Sequence, residues 1–114
     1  MSTERDAQTL AFAEDLVTEV LDGRKTATVR KPPKDIRVGD TVVATTPDGS
    51  HFATLRVTRT ATVIAAEVMA LIETFGAEYG CETTEELLEA LENHYGEALR
   101  PGRVVQLIVF EVLD

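Results

Sequence analysis

A chain of 114 residues, 44% of them hydrophobic, has apolar material for one core but not for two, so a single domain is expected. Its formal net charge of -9 excludes a generally basic nucleic-acid binder, and no apolar run approaches the roughly 20 residues that span a bilayer. One cysteine, Cys81, cannot form an internal disulfide, and His51 and His94 lack paired spacing, so neither a metal nor a cofactor is expected.

The chain begins with STERDAQ after its methionine, polar where a signal peptide needs an apolar core, and a cytoplasmic location is expected. Met1 to Thr9 reads as a flexible tail ahead of one domain over 10–114. Leu10 to Phe12 reads as a short strand, after which Leu16, Val17, Val20 and Leu21 give the stripe of an amphipathic helix. Gly23 suits the left-handed cap that ends it. Ala27 and Val29 then alternate with Thr26, Thr28 and Arg30, which predicts a half-buried strand carrying both hydroxyls and the arginine on one face.

Lys31, Pro32, Pro33 and Lys34 read as a stiff loop, because two prolines cannot continue a paired central strand. Arg37 to Asp40 turns the chain into a strand over Thr41 to Thr45, with Asp40 shaping that turn. Pro47, Asp48 and Gly49 predict a hairpin to a long β-branched strand from Phe52 to about Val63, long enough to be bent or bulged. Within it Arg56 and Arg59 should point to opposite faces unless a bulge intervenes. Helix formers follow from Ala65 to Phe75. A second helix starts near Thr84, carries Leu87, Leu88, Leu91 and Tyr95 on one stripe and closes at Gly96. Pro101 and Gly102 turn the chain into a last strand over Val104 to Leu113. Few strands with helices packed outside predict a small α+β domain whose sheet curls toward a barrel, since a flat sheet would leave exposed edges.

Charge is unevenly spread. Six of the eleven basic residues, Arg24, Lys25, Arg30, Lys31, Lys34 and Arg37, fall between positions 24 and 37, whereas residues 60–99 hold no lysine or arginine. A basic patch on an acidic body concentrates anions locally. Within the patch, GRKTATVR (23 to 30) combines a lysine that can polarise a carbonyl, a threonine hydroxyl that becomes a nucleophile when a base takes its proton, and an arginine fork suited to phosphates or base edges. A lysine, a threonine and a carboxylate together suit amide hydrolysis. On spacing alone Thr28 reads as an ordinary strand residue.

GRKTATVR resembles the GxKxxxxR core of the ASCH domains, relatives of the PUA RNA-binding domains. The helix ending in LDG, the VGD turn, the TEELLEAL helix ending at Tyr95 and the strand with VFEV occur in the order such domains show, so the resemblance covers nearly the whole chain from Leu10. It implies a PUA-like small mixed β-barrel with flanking helices and RNA or a modified nucleoside as partner; the sequence leaves the oligomeric state open, with a monomer expected. The usual motif is GxKxxExR, and this sequence has Thr28 where the glutamate would stand. A bacterial group of ASCH proteins, the N4-acetylcytidine amidohydrolases, is similar in having threonine there. That similarity implies catalytic roles for Lys25 and Thr28 together with a later glutamate. Alignment puts Tyr79 or Gly80 at the position of that glutamate, so Glu78 is the nearest replacement and Glu82 the next. The ligand-binding set implied is Gly23, Arg24, Arg30, Lys31 and Tyr79, with Tyr79 placed to stack on a base; Arg24 and Lys31 line the cleft mouth or face solvent. The competing reading is a non-catalytic RNA-binding module that turns the same cations to phosphates.

Overall fold

The structure, a computed structural model, describes residues 8–113. Along the chain run β1 (Gln8–Ala11), a 3-10 turn (Glu14–Leu16) leading into α1 (Val17–Leu21), β2 (Ala27–Arg30), β3 (Thr41–Thr45), β4 (His51–Ile64), α2 (Ala65–Phe75), α3 (Thr84–Tyr95) and β5 (Val104–Leu113). Residues 1–7 of the expected tail lie outside the described range. Gln8 and Thr9 do not belong to a tail: they pair with Val42 and Val43 as the start of β1.

The five strands form one sheet in the order β1-β3-β4-β5-β2, antiparallel throughout except between β1 and β3. It curls into a half-barrel of mixed α+β architecture, with β1 and β2 at its two edges. Leu10, Phe12, Val42, Leu55, Val57, Ile108 and Phe110 form a core on its inner face, where Phe12 meets Phe52 and Phe110 edge-on with ring centroids 6.1 and 5.9 Å apart. Val105, Leu107 and Val109, the alternate residues of β5, pack outward against Val68 and Ile72 of α2 and Leu87 and Leu91 of α3. Each fully buried leucine here, such as Leu87 or Leu107, contributes roughly 1.5–3 kcal/mol.

Local chemistry sets the ends of these elements. Gly23 (φ 76°) follows α1 in the left-handed conformation, and the N–H groups of Arg24 and Lys25 both reach back to the Glu19 carbonyl, at 2.9 and 3.0 Å. Helix α3 starts at Thr84 as expected, capped by Thr83: the Thr83 hydroxyl accepts from Glu86 N, and the Glu86 carboxylate accepts from Thr83 N in return. Gly96 ends it at φ 73°. Asp40 does shape its turn, since its carboxylate accepts from Arg37 N at 2.9 Å.

Two features of the sheet depart from the sequence pattern. Strand β2 is buried on both faces rather than half-buried, because Ala27 and Val29 lie in the outer core under the helices while Thr28 and Arg30, opposite Ile108 and Gln106, face inward. In β4 the register against β5 shifts between Val57 and Arg59. The bulge sets Arg56 opposite Glu111 and Arg59 opposite Val109, so the two arginines share the outer face.

Candidate functional site

A cleft of about 590 Å³ opens between the 3-10 turn and α1, strand β2, the segment 79–81 and helix α3. Lys25, Thr28 and Arg30 line it, and each is at least nine-tenths buried, with 7%, 5% and 7% of its surface exposed. The inward alternation of β2 delivers Thr28 and Arg30, and the turn after α1 delivers Lys25. All three therefore line one cleft.

Lys25 is held by an unusual pair of contacts. Its Nζ donates to the Tyr79 carbonyl at 3.3 Å and lies 4.2 Å from the centroid of the Tyr79 ring. Burial, and after it the positive charge of Arg30, lower its pKa from 10.5 to about 8, with Cys81 and Glu19 opposing. It is thus a cation at neutral pH that loses its proton only slightly above. The Tyr79 hydroxyl is pushed well above its ordinary range, first by burial, and stays protonated.

Arg30 donates from Nε to Thr28 Oγ1 at 3.1 Å and from Nη2 to the Ala11 carbonyl at 2.8 Å, with its guanidinium carbon 5.2 Å from the Phe12 ring centroid. These bonds commit the fork to the protein itself, and they leave the Thr28 proton without an acceptor among the described residues. A cationic donor on the hydroxyl oxygen favours its alkoxide and lowers the cost of deprotonation.

The remaining expected residues are placed as follows. Arg24 lines the cleft and pairs with Asp22 at 3.3 Å; both are more than half exposed, so the pair is worth well under ~1 kcal/mol and does not hold Arg24 from a ligand. Gly23 lies on a separate, smaller pocket beside Phe110 and Val112. Lys31 lies outside the cleft lining: Nζ meets Glu97 at 2.6 Å and sits 4.7 Å from the Tyr95 ring centroid, while its N–H donates to the Tyr95 hydroxyl at 3.0 Å. Tyr79 lines the cleft with its ring turned to Lys25. Glu78 is exposed and Glu82 likewise, and neither is among the lining residues. What Glu78 supplies is main chain: its carbonyl accepts from Thr26 N and Ala27 N at 2.8 and 3.1 Å, and its N–H donates to Thr26 Oγ1 at 2.9 Å.

The carboxylates that do line the cleft are Asp15 and Glu19. His94 lines it too, its pKa lowered by burial and then by Arg30, so its imidazole is neutral at pH 7. Cys81 lies beside Lys25 with a thiol kept protonated by burial and by Glu86. Outside the cleft, buried Gln106 accepts from Lys34 N at 2.7 Å and donates to the Ile36 carbonyl at 3.1 Å and Thr60 Oγ1 at 2.9 Å, which fixes the loop after the motif. Glu19 and Gln106 were the informative omissions. An acid in the last turn before a basic motif, and a single amide inside the apolar run VVQLIVF, are the signals that could have found them.

No cluster of three or more metal-ligating side chains occurs among the described residues, and none of their helices is long and apolar enough to cross a membrane.

Neither a protein family model nor a curated protein sequence matches this chain. Solved structures do. A protein from Enterococcus faecalis V583 assigned to family DUF984 superposes with a TM-score of 0.72 at 19% identity, over 97% of this chain and 82% of its own. An ASCH domain from Lactobacillus crispatus gives 0.63 at 18% identity over 92% and 79%. The ASCH protein of Zymomonas mobilis gives 0.63 at 12% identity over 97% and 69%. At these identities the likeness is one of fold, and that fold is the ASCH or PUA-like half-barrel.

Proposed function

We propose that this chain is an ASCH protein that binds a modified nucleoside in the cleft and hydrolyses an amide on it, of the kind carried by N4-acetylcytidine. The observation that carries the reading is the pairing, on one buried cleft floor, of a lysine cation with a threonine hydroxyl whose proton has no acceptor among the described residues. In this reading Thr28 Oγ attacks the acetyl carbon and Lys25 holds the developing oxyanion, which a desolvated site stabilises far better than water does. Arg30 sets the Thr28 rotamer from behind, and Arg24 at the mouth supplies charge toward the ribose or a phosphate. Segment 79–81, with the Tyr79 ring against Lys25, forms the wall along which the base lies.

The competing RNA-binding reading needs a free row of cations, and the placement of the cations speaks against it. Of the six basic residues, Lys31 is bound to Glu97 and Arg30 is tied to Ala11 and Thr28. Only Arg24, Lys25 and Arg30 line the cleft, which suits one nucleoside rather than a long strand.

The test is acetate release from N4-acetylcytidine, with Lys25→Met and Thr28→Val as the decisive variants. Turnover by the wild type and a loss of at least ~100-fold in each variant are expected. A folded wild-type protein that releases no acetate ends the hydrolytic reading.

A further inference from the structure

Hydrolysis by Thr28 requires a group to take its proton, and the acid nearest the family position, Glu78, is absent from the cleft lining. Three lining side chains can accept a proton: Asp15, Glu19 and His94. We infer that Glu19, in the last turn of α1, is the general base and then the general acid of this site, a role that rests on the hydrolytic reading above.

The argument is one of placement. Glu19 is half-buried, whereas Asp15 and His94 are exposed, so it is the acceptor most withdrawn into the cleft. Its root is fixed on the motif itself, since its carbonyl takes the N–H groups of both Arg24 and Lys25, at 2.9 and 3.0 Å. Those bonds fix the Glu19 backbone beside Lys25, and the residue lines the same cleft. The Glu19 charge acts on Lys25, yet the two form no ion pair among the described residues, because Nζ is held on Tyr79 instead. Acid and cation therefore face the same space without neutralising each other, and a substrate carbonyl fits between a cation that takes its oxygen and a carboxylate that takes a proton. Burial of His94, and after it the positive charge of Arg30, disfavour the imidazolium that a base of that kind must become.

The proton path balances. Thr28 Oγ forms a bond to the acetyl carbon while its proton passes to the Glu19 carboxylate and the carbonyl electron pair moves to the oxygen held by Lys25. Collapse breaks the carbon–nitrogen bond, and the leaving amine of cytidine takes the proton back from Glu19. Water then attacks the acetyl-threonine ester, gives a proton to Glu19 and releases acetate, and that proton returns to Thr28 Oγ. No oxidant, metal or further reactant enters.

Glu19→Gln separates this role from its alternatives, because it keeps size and removes only the proton acceptor. The expected result is a ~100- to 10,000-fold loss of kcat on N4-acetylcytidine with KM within about threefold of wild type. NMR titration of the Lys25 ammonium gives a second, activity-free readout: without the Glu19 charge Lys25 titrates at lower pH than in the wild type. An active wild type with kcat equally high in Glu19→Gln overturns the base assignment alone, as does loss of activity in Glu78→Gln but not in Glu19→Gln. A Lys25 titration unmoved by Glu19→Gln overturns the placement whatever the activity. A wild type that releases no acetate overturns the hydrolytic reading itself, which the titration distinguishes from a misplaced carboxylate.

Discussion

Arg30 Nη2 donates to the Ala11 carbonyl at 2.8 Å, and this one bond spans the two edges of the sheet, because Arg30 ends β2 and Ala11 ends β1. The same side chain reaches Thr28 through Nε at 3.1 Å, so the group that closes the half-barrel also sets the candidate nucleophile. Fold and site are thus joined at one residue. Arg30→Met removes both bonds and leaves the Ala11 carbonyl with a lost partner. A stability loss of about 2–4 kcal/mol in urea unfolding is expected. Arg30→Lys should recover little of it, since one ammonium lacks the planar fork that meets two separated acceptors. Full stability in Arg30→Met would show that the seam does not depend on this contact.

Lys25 illustrates a cost the fold accepts for its cleft. Its pKa falls from 10.5 to about 8, so between those values the unfolded chain holds a proton that the folded chain has released, and stability rises as pH climbs through that window. Below pH 8 the buried charge costs up to about 3 kcal/mol. Lys25→Met, close in size and uncharged, should therefore be at least as stable as wild type at pH 7, with a higher Tm, while losing turnover. It should also lose the rise in stability from pH 8 to 10. A markedly lower Tm would contradict the desolvated placement of Lys25.

Gln106 gives a third test. Three bonds from one buried amide hold Lys34, Ile36 and Thr60. Gln106→Leu keeps the bulk and removes all three. A loss of about 2–3 kcal/mol and faster proteolytic cutting within the 31–37 segment are expected. Unchanged cutting would show that this loop is held by other contacts.

The basic run makes a fourth prediction. Because Arg37 lies away from the cleft, Arg37→Gln should leave the affinity for a short single-stranded RNA within about twofold at moderate salt. A tenfold loss, with a shallower salt dependence, would favour the binding module over the nucleoside hydrolase.

Much of this was readable from residues. The alternation of β2 foretold that Thr28 and Arg30 share a face, Gly23 and Gly96 foretold helix ends, and the length of β4 foretold a bulge. What alternation could not give was the second buried face of β2, since helices α2 and α3 arrive from more than thirty residues on to cover Ala27 and Val29. Local charge counting likewise set Lys31 at the cleft mouth or in solvent, when an acid remote in sequence, Glu97, had already taken it. The carboxylates show the same limit: the family alignment pointed to the segment around Glu78, whereas the acids that line the cleft, Asp15 and Glu19, come from the 3-10 turn and α1.

Acetate release from N4-acetylcytidine by the wild-type protein, followed across pH 6 to 10, tests the central claim most directly. Lys25 must carry its proton to hold the oxyanion, so the account predicts turnover near neutral pH that falls as pH rises through about 8. No acetate at any pH, or a rate that keeps climbing through pH 8, would contradict it.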